Sequence, residues 1–503
     1  MKNEKVTERW VITNQPPAVW DRECDVLVLG GGGSGAFAAI EADEAGAKVI
    51  VIEASDTMRG ETAWCGGGFA GCQTKMQAAN GIADDPELFV KDWLKAGGEL
   101  NDPDILRAVI YLSGSTIDKL QDIEAQFEMH MEAPGWSGHT VPRTHWSLPL
   151  GDGAGVMIAL QNYVHQKGIE VLYETTATKL FREAGGRVVG AAAQDKTGQT
   201  VNFKAKKAVV LATAGPSADF NRLVKYMPFF KEALKKAKNF TTLSYPPNTG
   251  NIFEEALALH ADWNNFAPYY TAASVPTGKM LREGTPEGQM LFIPFIAPEG
   301  LIAVTLDGKR FCNEESTVDI LDERVWRDIP GMSYVSILDA RILKKPMTNL
   351  FLKTSRYDID QLYAEGIEGV GKADTIEELA KQLGMDPAVL KNTVDRWNSQ
   401  AAAGEDPDFA RGSLGEGIVE PPFYAITAFP NMAMSKGGLK VNPECQVLDI
   451  YQKPIPGLYA AGDIASGQLQ GSALIHVAGA GCAIALNMGR ISGMNGAKET
   501  PWS

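Results

Sequence analysis

The chain has 503 residues, 45% of them hydrophobic and 22% charged, which is long enough for more than one core and excludes the disordered and fibrous classes. A formal net charge of −15 argues against general nucleic-acid binding, because phosphate backbones attract basic surfaces and this one repels them on average. The six cysteines show no CxxC pair, no haem-attachment site and no zinc-ligand spacing, so they read as reduced thiols with no metal site.

The N-terminal MKNEKVTERWVITNQPPAVW has no apolar signal region, and no later apolar run is long enough to span a bilayer. A cytoplasmic protein without a membrane span is expected. Asp25 to Leu29 then form a strand that runs into Gly30, Gly31, Gly32, Gly33, Ser34 and Gly35, followed by the helical spacing of AFAAIEADEAGA and a second strand, Lys48 to Ile52, that ends at Glu53. Gly30, Gly32 and Gly35 fit GxGxxG: the first makes the turn, the second admits a pyrophosphate and the third lets the helix pack on the strand. Amide groups at the helix start, near Gly33 and Ser34, are donors for phosphate oxygens. A carboxylate at Glu53, beside Ala54, accepts from ribose hydroxyls and disfavours a 2′-phosphate. The alternative is a plain glycine turn. With strand, helix and terminal acid all in place, dinucleotide binding is the reading.

Further along, RGETAWCGGGFAG reads as a second small-residue loop, with Gly60, Glu61, Thr62, Gly67 and Gly68 as expected cofactor contacts. Gly168 to Leu180 reads as a strand carrying Ala177. Arg187–Asp195 and Val201–Lys206 read as a hairpin, and 208–214 as a strand ending in Ala212, Thr213 and Ala214. GLYAAGD brings Gly462 and Asp463, and GAGCAIALNM brings Ala480, Cys482 and Ala483 to a helix start.

In this order, WDRECDVLVLGGGGSG, VIEAS, AVVLATAG, GKRFCNE, SKGGLKVN, PIPGLYAAGD and AGAGCAIALNMGRISG resemble the flavoproteins of the succinate dehydrogenase and fumarate reductase family, including its soluble 3-ketosteroid dehydrogenase branch. The resemblance covers nearly the whole chain. It implies an α/β fold in which a Rossmann-like FAD-binding domain, split into 20–264 and 433–497, is interrupted by an inserted α+β capping domain at 265–432. It also implies noncovalent FAD, because RGETAWCGGG lacks the histidine to which the membrane-complex members attach the flavin. The helix near Gly481 is then expected to face the flavin N1/O2 edge, and Asp463 its ribitol or phosphate-side hydroxyls.

Fumarate-type members bind a dicarboxylate with histidines and arginines. By resemblance those positions fall here at Val318, Ala267, Met434 and His476, so a dianion buried among them lacks cationic partners. Aromatic residues stand nearby: Trp263, Phe266, Tyr269 and Tyr270 at the cap entrance, Phe292 and Phe295 before GKRF, and Trp136 and Trp146 in PGWSGHTVPRTHW. Trp64 and Lys436 complete the expected substrate lining. Such side chains suit a flat apolar ligand, although ordinary packing is the stronger explanation for any single one of them. The proton partner is sought among Tyr269, Tyr270, His145, Arg143 and His476, while Glu314 of RFCNE reads as support for the cap.

The reading is an oxidoreductase moving a hydride between FAD and a hydrophobic cyclic substrate, steroid-like or isoflavonoid-like, in the reductive direction. An ene-reductase or tetrahydrodaidzein reductase-like layout fits it. Its rivals are a ketosteroid dehydrogenase that introduces a ring double bond, an electron-transfer flavin subunit that needs a partner protein, and a redox-inactive FAD scaffold. With one dinucleotide fingerprint and no haem or iron–sulfur pattern, electrons come from outside the chain; NAD(P)H docking transiently is one source.

Overall fold

Val26 to Leu29 are wholly buried, and they close a strand, Arg22–Leu29, in the middle of a parallel sheet. The computed structural model describes residues 14–129, 138–148, 153–228, 230–236, 241–242, 244–274, 299–316, 324–345, 359–470 and 477–502, with backbone alone at 233, 241–242, 265–274, 429–433 and 470. The sheet runs in the order Gln446–Leu448, Pro454–Ala460, Thr200–Leu211, Arg22–Leu29, Val49–Ile52, Glu170–Leu172. Every pair along it is parallel except the edge pair of Gln446–Leu448 with Pro454–Ala460. A strand covered on both faces is apolar along its whole length, and VIVI of Val49–Ile52 is buried throughout.

The helix Gly33–Glu44 packs against the helix Ala480–Lys498 with almost no side chain between them. A Cβ at Gly489 would lie 2.2 Å from the Ser34 carbonyl oxygen, and one at Gly493 would lie 2.3 Å from that of Ala38. Glycines four residues apart on one helix face thus let the end of the chain close onto the domain begun near its start.

Three elements differ from the sequence reading. The expected pair of strands at Val201–Lys206 and 208–214 is one strand, Thr200–Leu211, with a register irregularity where Cys24 and Val26 pair with Ala205 and Ala208. Lys206 and Lys207 look like a break in the apolar pattern because they sit at this irregularity. Gly168–Leu180 is two strands, Glu170–Leu172 at the edge of the parallel sheet and Thr176–Arg182 paired antiparallel with Val188–Gln194. RGETAWCGGGFAG holds a short helix, Gly60–Trp64, and a strand, Gly68–Ala70, that pairs with Thr144–Ser147.

A second sheet orders Thr241–Thr242, Phe423–Leu439, Tyr334–Asp339 and Ile302–Thr305, with Trp263–Ser274 and Val370–Ala373 also on Phe423–Leu439. Its own core contains Leu301 to Val304, Tyr334, Ile337 and Trp397. Phe423–Leu439 runs for 17 residues, and residues 432 and 433, where the cap was expected to end, lie inside it. Glu314 sits in the interior of this second unit. It accepts from Arg310 at 2.8 Å, Arg411 at 3.1 Å and the Ala303 amide at 3.0 Å, while the Arg310 guanidinium lies 4.5 Å from the Trp397 ring.

Candidate functional site

The parallel strands end together, and the turns beyond their ends meet one another. Leu29 leads to Gly30–Ser34, Ile52 to Glu53 and Ala54, Leu211 to Ala212–Ala214, and Ala460 to Asp463; all of these line one cleft at the carboxyl edge of the sheet. Gly60, Glu61 and Thr62 form one further wall, and Thr175 to Ala177 another.

Each wall is fixed by hydrogen bonds within the turns. The Gly31 amide donates to Glu53 Oε2 at 2.7 Å, the Ser55 amide donates to Glu53 Oε1 at 2.8 Å, and the Gly33 amide donates to Thr62 Oγ1 at 3.2 Å. Glu53 is therefore tied to the glycine turn as well as facing the cleft. The Thr213 hydroxyl is buried with no protein partner, and a Cβ at Gly32 would meet only the Gly60 Cα at 3.5 Å. An orphaned hydroxyl and a turn with free space above it at the end of a parallel sheet fit the pyrophosphate and ribose groups of a dinucleotide such as FAD.

Electrostatically the cleft holds Glu61 and Asp463 besides Glu53. Glu61 Oε1 accepts from the Tyr245 amide at 2.9 Å, from Asn248 Nδ2 at 2.7 Å and from the Ser244 hydroxyl. Burial raises its carboxyl to about 7, against those hydrogen bonds, with Asp463 adding repulsion. Burial likewise raises Asp463 to about 6.

Not every expected contact lines this cleft. Gly35 packs its helix against Gly30, and Gly462 lies against Ser34, where a Cβ would be 2.9 Å from the hydroxyl. Gly67, Gly68, Ala480, Cys482 and Ala483 lie outside the cleft lining, with Ala480–Ala483 in the first turn of the C-terminal helix. In turn, Tyr245, Pro247, Asn248, Asn251 and Ala485 line it without having been read from the sequence. The run PPNTGN was the available signal: Gly250, at φ 74°, starts the helix Asn251–Ala258 beside the cleft.

Two proposed proton partners are locked away. Arg143 is fully buried, bidentate to Asp84 at 2.8 and 2.7 Å and bonded to Asp92 at 2.6 Å, with its guanidinium 4.5 Å from the Phe89 ring. His145 shares a hydrogen bond with Thr74 through Nε2 at 2.8 Å and donates through Nδ1 to the Arg143 carbonyl at 2.9 Å. Burial lowers it to about 4, so it is neutral and structural. His145 lies in Thr144–Ser147, the central strand of a small sheet, and Arg143 immediately precedes that strand.

The aromatic residues divide. Trp263, partly buried, packs edge-on to Tyr226 and Phe253 against the core, at 5.5 and 5.7 Å. Trp64 stacks edge-on to Tyr245 at 5.2 Å, close to the cleft. Trp146 lies over Gly68, and Lys436 is buried rather than solvent-exposed. Trp136, Phe292, Phe295 and His476 lie outside the described residues, as do the side chains of Phe266, Tyr269 and Tyr270. The backbone register nevertheless sets Tyr269 opposite Met434, and the Met434 methyl is 3.5 Å from where a Cβ at Gly481 would be. Among the described residues, no helix is long and apolar enough to cross a membrane.

Strand ends, glycine turn and acid together define a dinucleotide-binding α/β cleft, and the similarities to known proteins make the chain an FAD-dependent oxidoreductase. A family model described as FAD binding domain matches residues 25–483, and the chain belongs to that family, which includes the succinate dehydrogenase and fumarate reductase flavoproteins. It is 27% identical over 512 residues to a urocanate reductase of Eggerthella lenta, covering 99% of this chain and 78% of the relative. It is 30% identical to the probable fumarate reductase Ifc3 of Shewanella frigidimarina (94% and 75% covered) and 28% identical to a digoxin reductase of Eggerthella lenta (96% and 88% covered). Among solved structures, the open conformation of a flavocytochrome c3 fumarate reductase superposes with a TM-score of 0.77 at 27% identity, covering 96% of this chain and 79% of that one.

Proposed function

We propose that this oxidoreductase reduces a carbon–carbon double bond or related group in a hydrophobic cyclic substrate, steroid-like or isoflavonoid-like. Bound FAD supplies hydride transfer at its N5. Gly30–Ser34, Glu53 and Thr213 would hold the dinucleotide end, and the N-terminus of Ala480–Lys498 would face the ring system. Phe423–Leu439 and Trp263–Ser274 would carry the substrate side, with Tyr269 or Tyr270 moving the proton.

The observation that carries this reading is Met434. Where the dicarboxylate-binding relatives are expected to place a histidine, a thioether sits over the first turn of the C-terminal helix, an apolar surface unsuited to a carboxylate. Similarity to a digoxin reductase also supports an apolar ring substrate, while similarity to fumarate and urocanate reductases supports the reductive direction.

The test is anaerobic. Flavin-loaded protein is reduced with dithionite and mixed separately with fumarate, an enone steroid and an isoflavonoid-derived ketone, following flavin absorbance. Fast reoxidation by the ring compounds alone is expected; fast reoxidation by fumarate would overturn the substrate reading. Oxidation of a saturated ketosteroid by the oxidised enzyme would instead favour the dehydrogenase reading.

A further inference from the structure

Cys65 and Cys482 are 417 residues apart in sequence, yet the Cys482 thiol donates to Cys65 Sγ at 3.4 Å. Among the described residues no other two sulfurs are in such contact, although all six cysteines are free thiols. Neither cysteine lines the cleft, but each adjoins an element that does: Cys65 follows the helix that carries Glu61 and Thr62, and Cys482 lies in the first turn of the helix that carries Ala485.

The two sulfurs are not equivalent. Cys65 Sγ also receives the Gly67 amide at 3.4 Å, and it abuts the first turn of the helix Ala154–Gln166, since a Cβ at Gly153 would be 2.9 Å from it. As a thiol it donates to the Thr62 carbonyl at 3.1 Å. For Cys482, the hydrogen bond to Cys65 together with burial holds the thiol well above the ordinary range. Cys65 is half-buried and Cys482 buried, so a small oxidant reaches Cys65 first.

We propose that Cys65 and Cys482 form a redox clasp between two elements that flank the cofactor cleft, Cys65 reacting with a hydroperoxide and Cys482 resolving the product. The Cys65 sulfur attacks the peroxide, whose O–O bond breaks to leave a sulfenic acid and water or an alcohol. The Cys482 sulfur then displaces hydroxide from the sulfenic acid, which takes the thiol proton and leaves as water. Two thiols are oxidised by two electrons, and one peroxide is reduced. A disulfide needs the sulfurs at ~2.05 Å, which asks for only a small closing movement from contact distance. Gly66, beside which a Cβ would meet nothing within 4 Å, gives the loop room to make it.

The test uses the full chain loaded with FAD and treated with a small excess of hydrogen peroxide. Titratable thiols in denaturant are expected to fall from six to four. A non-reducing digest is expected to contain the Cys65 peptide joined to the Cys482 peptide, and dithiothreitol to restore both. FAD release is expected to slow several-fold in the oxidised form. In Cys482→Ser, dimedone should label Cys65; in Cys65→Ser, Cys482 should stay unlabelled. Six thiols surviving peroxide, a different pairing, or unchanged FAD release would overturn the clasp. The crosslink readout needs no substrate, so its failure is distinct from failure of the proposed reduction.

Discussion

Gly35 and Gly30 approach so closely that a Cβ at Gly35 would lie 1.8 Å from the Gly30 carbonyl oxygen. The same motif thus contains two different glycine requirements. At Gly35 the protein itself fills the space, while at Gly32 the space faces the cleft.

Gly32→Val should therefore give a folded protein that does not retain FAD, whereas Gly35→Val should fail to fold stably. Purified yield, thermal melting and bound flavin absorbance separate the two. Stoichiometric flavin in Gly32→Val would contradict the assignment of the cleft.

Arg143→Met should destabilise the protein by about 3–5 kcal/mol, because Asp84 and Asp92 would be left buried without their cation. Denaturant unfolding of variant and parent measures this. A catalytic Arg143 predicts the reverse pattern, with unchanged stability and lost turnover.

Glu61 makes the flavin-free protein sensitive to pH. Its carboxyl is raised from 4.5 to about 7 in the fold, so between those values the folded state holds more protons than the unfolded chain. Stability from this group is thus greatest at low pH and falls as pH rises through that window. Glu61→Gln should flatten the trend by on the order of 1–2 kcal/mol, less than full burial implies because solvent reaches the cleft. Melting temperature against pH for both proteins is the check, and identical slopes would remove Glu61 from the account.

Tyr269→Phe and Tyr270→Phe should leave FAD bound, and one of them should slow substrate-dependent flavin reoxidation roughly a hundredfold. Stopped-flow absorbance with the ring substrates measures it. Normal turnover in both variants would move the proton role to His476, since Arg143 and His145 are already committed to structural bonds.

Local pattern made the strand–turn–helix at Arg22–Glu44, the acid at Glu53 and the ATAG turn at Ala212 legible, because a parallel strand and a glycine turn are each written in a few adjacent residues. Whole-chain motifs were legible in the same way, and they identified the family. Tyr245, Asn248 and Ala485 were not legible, since their place in the cleft depends on which turns pack together across the sheet.

By itself the sequence determined an FAD-binding α/β protein, through apolar runs that must be buried and glycines that admit phosphate. Only the tertiary structure decided that Arg143 and His145 are internal supports, that Trp263 packs against the core, and that Cys65 meets Cys482. The reason is that burial and partnership are properties of residues far apart in the chain. A histidine or cysteine reads the same in sequence whether its neighbours are solvent, a carbonyl or another sulfur.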